Sequence, residues 1–222
     1  MLLPTEAPVM TLPNVILFPQ AMLPVFIFEP RYRRMLENSL ATHRTVVIAM
    51  AKPGSKRETP SKVGGLGLIR AAVKNKDGTS HLVLQGLARV VLGKVVRYQP
   101  YRVHQIEPIP NESLNSSQIS SLTSKVLDLV IARMENGLDF SLPIMKHLQS
   151  EGELIQSTLS FKEVIKHLRS VKDPSQLVDL VSCTLLPIPL QRQIILETYD
   201  LETRLDILVQ FLISSMKTRS KW

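Results

Sequence analysis

Two hydrophobic rhythms run along the chain, and one gives way to the other near Pro110. From Val9 to Ile109 the apolar positions come in short runs: TVVIAMA (45–51), LGLIRAAVK (66–74), SHLVLQGLARVVLGKVV (80–96) and YRVHQIEPI (101–109). Each is rich in Val, Ile and Leu and is bounded by Gly, Pro, Asn or Asp, which predicts strands. Between the second and third, KNKDGTS places Asp77-Gly78 where a tight hairpin turn is expected. Several short strands in succession predict a small barrel or sandwich. One helix interrupts them over PRYRRMLENSLATH, with Tyr32, Met35, Leu36 and Leu40 at helical spacing and Pro30 near its start.

After Pro110 the period becomes 3.6. NESLNSSQ is a polar link able to cap the helix that follows, where Ile119, Leu122, Val126, Leu129 and Val130 trace one face until Gly137. SFKE (160–163) fits a capping box opening a helix through Val164, Ile165 and Leu168. Asp173-Pro174 starts the next, PIPLQRQIILE a short one, and Asp200 caps the last, whose Leu201, Leu205, Leu208 and Leu212 form a stripe. Residues 137–160 fit either a short helix and loop or a continuous helix. The expectation is an α+β chain: a β-rich subdomain over 1–110, then a bundle of four or five helices over 111–222.

Charge follows the same division. The chain has 27 Lys/Arg against 19 Asp/Glu; residues 1–110 hold 15 against 6, or +9, and residues 111–222 hold 12 against 13, or −1. The basic residues Arg31, Arg33 and Arg34, Lys52, Lys56, Arg57 and Lys62, and Lys74 and Lys76 read first as a solvated face. They leave room for nucleic acid on charge alone, although aromatics to stack bases make up only 5% of the chain. No apolar run approaches the ~20 residues of a bilayer-crossing helix. Prolines at 4, 8, 13, 19 and 24 would break a helix at the start, and no Lys or Arg precedes Arg31. A soluble cytoplasmic protein is expected, and the one cysteine, Cys183, reads as a core thiol.

Motifs for chemistry are missing. GSKRETPSK (54–62) lacks phosphate-loop spacing, and GGLG (64–67) precedes no helix, so both read as loop and strand entry. The histidines at 43, 81, 104, 147 and 167 form no metal-binding pattern, and His81 alternates with Leu82 and Leu84 as a solvent-facing strand residue. No G-x-S-x-G elbow occurs. No catalytic residue, metal ligand or cofactor site is expected, and the chain reads as a binding protein rather than an enzyme.

Residues 12–36, LPNVILFPQAMLPVFIFEPRYRRML, resemble the start of the Lon-protease N-terminal substrate-binding domain, with its L-P, L-F-P, L-P and I-F-E-x-R-Y-x-x-M elements. Here these are Leu12-Pro13, Leu17-Phe18-Pro19, Leu23-Pro24 and Ile27-Phe28-Glu29-Pro30-Arg31-Tyr32 with Met35. Gly64, Ile69, Asp77-Gly78-Thr79, Gly86 and Arg89-Val90 are similar to that family's second signature, and the tail from Asp173 to Leu212 resembles its helical half. The resemblance implies a PUA-like β pseudo-barrel followed by an α-helical bundle. It implies no chemistry, because the family's ATPase and Ser-Lys peptidase modules have no counterpart in this sequence; a standalone domain is expected. The implied partner is an unfolded or hydrophobic polypeptide segment, gripped in an apolar groove between barrel and bundle, for which Phe26, Phe28, Arg31, Tyr32 and Met35 are the candidate contacts. Phe18, Phe26 and Phe28 read first as core and second as groove wall, with Phe26 and Phe28 on one face. Glu29 is expected to meet Arg31 or to cap the helix. An RNA-binding module using the basic half is the alternative, and a homo-oligomer is allowed.

Overall fold

The structure, a computed structural model, describes residues 3–55, 58–110, 116–135 and 161–217. The chain divides into two compact units, Met1–Pro110 and Asn111–Trp222. The first contains β1 (Glu6–Leu12), β2 (Met22–Ile27), α1 (Pro30–Leu40), β3 (Thr45–Met50), β4 (Val63–Lys74), β5 (Ser80–Arg97) and β6 (Arg102–Pro108). The second contains α2 (Ser117–Glu135), α3 (Phe161–Ser170), α4 (Pro174–Leu185), α5 (Pro189–Glu197) and α6 (Leu201–Lys217).

The six strands form one sheet in the order β2-β5-β4-β3-β1-β6, and β6 also returns to pair with β5. Five strands therefore close into a ring, with β2 attached outside it. This is possible because β5 is 18 residues long. Its first half, Ser80–Gln85, pairs with β2, and its second half, Val90–Arg97, pairs with β6, both along the same edge. Only the β1–β3 pairing is parallel, and α1 supplies the long crossover that a parallel pair needs. The hairpin joining β4 to β5 turns at Asp77-Gly78, with Gly78 at φ +82°. Asp77 Oδ1 accepts from the Thr79 amide at 2.9 Å and the Thr79 hydroxyl at 2.7 Å.

Period-two alternation divides the apolar residues of this unit between two cores. Ala7, Val9, Val47, Ala49, Leu66, Val90, Leu92 and Ile106, drawn from all five ring strands, pack together inside. Met10, Val46, Ile48, Ile69, Leu82 and Leu84 face the other way and are covered by Tyr32, Met35 and Leu36 of α1, with Leu17 and Ile27. The unbroken run TVVIAM in β3 follows from this, since the strand is buried on both faces. Glycines let the segment before β2 lie directly on the sheet. A Cβ on Gly65 would stand 1.9 Å from the Leu17 carbonyl oxygen, and one on Gly86 1.9 Å from that of Phe18. GGLG is thus the first half of β4, and its small residues serve close packing rather than a loop.

In the second unit the local signals sit where the sequence put them. Ser116 Oγ accepts from the Ile119 amide at 3.0 Å and caps α2. Asp173 accepts from the Ser175 amide with Pro174 opening α4, and Asp200 accepts from the Thr203 amide at 2.7 Å at the start of α6. Leu201, Leu205, Leu208 and Leu212 are buried, as are Val126 and Val130 of α2. One buried ion pair, Arg204 with Asp179, ties α6 to α4, and Arg204 also donates to Ser175 Oγ at 3.1 Å. The expectations for Ser160, Gly137 and the segment 137–160 lie outside the described residues.

Candidate functional site

Strand β2 carries two of the exposed apolar residues of the first unit, Met22 and Phe26, and its alternation decides which way they face. Val25 pairs with the buried Leu82 and turns toward the α1-side core, whereas Met22, Pro24 and Phe26 pair with Gln85, Val83 and His81 of β5 on the opposite face. The next strand continues that face, with Ala71 opposite Val83 and Val73 opposite His81. Cross-strand partners in an antiparallel pair share a side of the sheet. The result is a three-stranded apolar face on which Met22 is 42% exposed, Phe26 48% and Val73 63%.

Phe28 joins it because the extended backbone does not stop at Ile27. Glu29 precedes Pro30 and is held extended at φ −69°, ψ 133°, as the residue before a proline prefers. Period two therefore carries on, and Phe28, 57% exposed, stacks with Phe26 at 6.0 Å between ring centroids. The His81 ring, from the strand paired with β2, lies 4.7 Å from that of Phe26. Two phenyl rings and an imidazole thus stand in series on the sheet surface, inclined by 28° and 38° to one another.

The expectation that Phe18, Phe26 and Phe28 are first of all core residues holds for Phe18 alone, which is fully buried. The other two are surface residues on one face, which the alternation did indicate. Tyr32 and Met35 are 5% and 1% exposed, so they lie in the core beneath α1 and a ligand cannot touch them in this conformation. Tyr32 is fixed there by its hydroxyl, which donates to the Thr11 carbonyl and accepts from the Thr11 amide, both at 3.2 Å; burial pushes its pKa up.

Arg31 is half-buried and already engaged. It pairs with Glu29 at 2.7 Å and with Glu58 at 2.7 Å, and its guanidinium lies 4.5 Å from the centroid of the Tyr32 ring. The hydrogen bond from Arg31 holds the Glu58 carboxyl below its usual range, and Glu58 in turn raises the Arg31 pKa. Arg102 completes the strap by donating to the Glu58 carbonyl at 2.6 Å. Glu29 thus meets Arg31, as one expectation had it, and makes no side-chain cap to α1. Arg31 thereby fastens Glu58 to the start of α1.

Sequence reasoning missed Met22, Val73 and His81 as parts of this face. The alternation in RAAVK and in SHLVL carried a signal for Val73 and His81, but which strand lies beside β2 has no local signature.

The chain matches the model of the ATP-dependent protease La (LON) substrate-binding domain over residues 6–214. It is similar to Lon protease of Desulfosudis oleivorans, 24% identical over 208 residues covering 91% of this chain and 23% of that protein. Lon protease of Dictyoglomus thermophilum is 21% identical, over 97% of this chain and 25% of that protein. The chain spans about a quarter of the length of these relatives. Among solved structures it resembles the N-terminal domain of Mycobacterium avium complex Lon protease, with TM-score 0.68 and 18% identity over 93% of this chain and 97% of that one. The Lon N-terminal domain protein of Xanthomonas campestris gives TM-score 0.61 at 19% identity, over 93% and 98%. With the mixed α and β architecture and the matched span taken together, the chain belongs to the family of Lon substrate-binding domains.

Proposed function

We propose that this protein is a non-catalytic receptor or adaptor for unfolded polypeptide segments in the cytoplasm, and that it takes them on the face formed by Met22, Phe26, Phe28 and Val73. One observation carries the reading: two stacked phenylalanines, about half exposed, stand on and just beyond a paired strand in a member of a substrate-binding family. Exposed aromatic platforms mark interaction sites on a soluble surface. The binding step is desolvation. A ligand's apolar side chains cover the rings, while the backbone beneath is held by β5 and needs little reordering. The closed ring of five strands supports taking residues 1–110 as a PUA-like pseudo-barrel accompanied by the helices of 111–222. Among the described residues no helix is long and apolar enough to cross a membrane.

The +9 charge of residues 1–110 favours a second reading, RNA binding. Fluorescence anisotropy of labelled unfolded polypeptide and labelled RNA, each titrated with the protein at low and high salt, separates the two. The expected result is saturable polypeptide binding that survives salt, with RNA binding weak and salt-sensitive. Replacing both phenylalanines (Phe26→Ser with Phe28→Ser) removes roughly half the burial worth of two rings. It should weaken polypeptide binding about tenfold. Tight RNA binding without polypeptide binding would overturn the reading.

A further inference from the structure

The proposed face has an electrostatic asymmetry along β2. At the Phe28 end the charges are mixed. Arg33 donates to the carbonyls of Phe28 and Asp77 at 2.8 and 3.3 Å and lies close enough to Asp77 to help hold its carboxyl down. The carboxylate of Glu29 there is taken by Arg31. At the Met22 end stands Arg70, exposed at the β4 irregularity between Ile69 and Ala71. Its Nε donates at 2.6 Å to Oε1 of Gln85, the residue opposite Met22. No described ion pair gives Arg70 a carboxylate.

Main-chain recognition is poorly served at this site. Strand β2 pairs only with β5 among the described residues, but Pro24 at its middle has no N–H to offer an added strand. Discrimination between ligands therefore falls to side chains, the rings at one end and the guanidinium at the other.

We propose that the face selects extended segments in which a carboxylate lies about four residues from an apolar anchor, the anchor covering Phe26 and Phe28 and the carboxylate meeting Arg70. The spacing follows from the sheet: Phe26 and Met22 are four residues apart on β2, about 13 Å at ~3.3 Å per residue, and Arg70 reaches from β4 to Gln85, the β5 residue beside Met22. The inference rests on the polypeptide-binding reading above and adds charge selection to it.

The test uses the full chain and two fluorescent peptides with the same aromatic anchor, one with Glu and one with Lys four residues from it. At low salt the Glu peptide should bind roughly threefold or more tighter, as an exposed ion pair allows, and the difference should shrink as salt rises. The charge reversal Arg70→Glu should invert the preference, a ratio independent of how much protein is active. Equal affinities for the two peptides overturn the proposal, as does a preference that Arg70→Glu leaves unchanged. Binding of neither peptide would instead overturn the polypeptide-binding reading on which the proposal stands.

Discussion

Phe18, Phe26 and Phe28 share a side chain and lie within eleven positions, yet their surroundings give them different work. Phe18 is sealed against the sheet, and Phe18→Ala should cost about 3–5 kcal/mol in urea unfolding. The surface variants Phe26→Ser and Phe28→Ser should each cost under about 1 kcal/mol, what a lost cross-strand pair and strand preference amount to, while binding falls. Gly86→Ala is the opposite case: its new methyl would meet the Phe18 carbonyl oxygen at 1.9 Å. Destabilisation of about 3 kcal/mol is expected, at the upper end for overpacking, although Ala favours a strand more than Gly does. Cys183 donates to the Leu180 carbonyl at 3.2 Å, and burial pushes its thiol up to about 12. It should react with an aromatic disulfide reagent at pH 8 far more slowly in the folded protein than in urea, which a timed absorbance assay reads directly.

At the scale of elements, what is local in sequence could be read, and what is paired across the fold could not. The caps at Asp173 and Asp200 and the leucine stripe of α6 depend on residues within four positions or within one helix, so spacing alone reported them. Each cap should be worth about 1 kcal/mol, measured as the loss on Asp173→Ala or Asp200→Ala. The Asp179–Arg204 pair is different, since no pattern links a residue of α4 to one of α6 across 25 positions. Arg204→Met alone removes the charged partner of a buried carboxylate and should cost about 3–5 kcal/mol, whereas Arg204→Met with Asp179→Leu should recover most of that loss. A double-mutant cycle by denaturant unfolding gives the comparison. The exposure of Phe26 and Phe28 belongs to the same class, because it follows from β2 joining β5 outside the ring and from α1 covering only the other side.

At the scale of the whole molecule, three described carboxylates with lowered pKa values contribute to acid stability. Glu58 is lowered by the Arg31 hydrogen bond, Asp77 by the hydroxyl and amide of Thr79, and Asp200 by those of Thr203. A lowered folded pKa adds stability that is fully present above the unfolded value, 4.5 for Glu58 and 3.8 for the two aspartates. It is lost as pH falls through the folded values. The contribution of these groups to thermal stability should therefore be flat from about pH 7 to 5 and decline below about pH 4. Glu58→Gln should make that decline shallower, and a melting series across pH checks both.

The sequence by itself determined the change of period at Pro110, the hairpin at Asp77-Gly78, most strands and helices, the charge division, and the family to which the chain belongs. These are carried by neighbours along the chain: alternation, helical spacing, turn glycines and caps. Tertiary structure alone decided that β5 serves two partners on one edge, and that Gly65 and Gly86 yield space to Leu17 and Phe18. It also decided that Arg31 is spent on Glu29 and Glu58, and that Tyr32 and Met35 lie beneath the surface while Phe26 and Phe28 lie on it. The physical reason is that period two sorts side chains onto two faces of a strand without saying what covers each face, and only the packing of α1 and β5 around β2 settles which face is left to solvent.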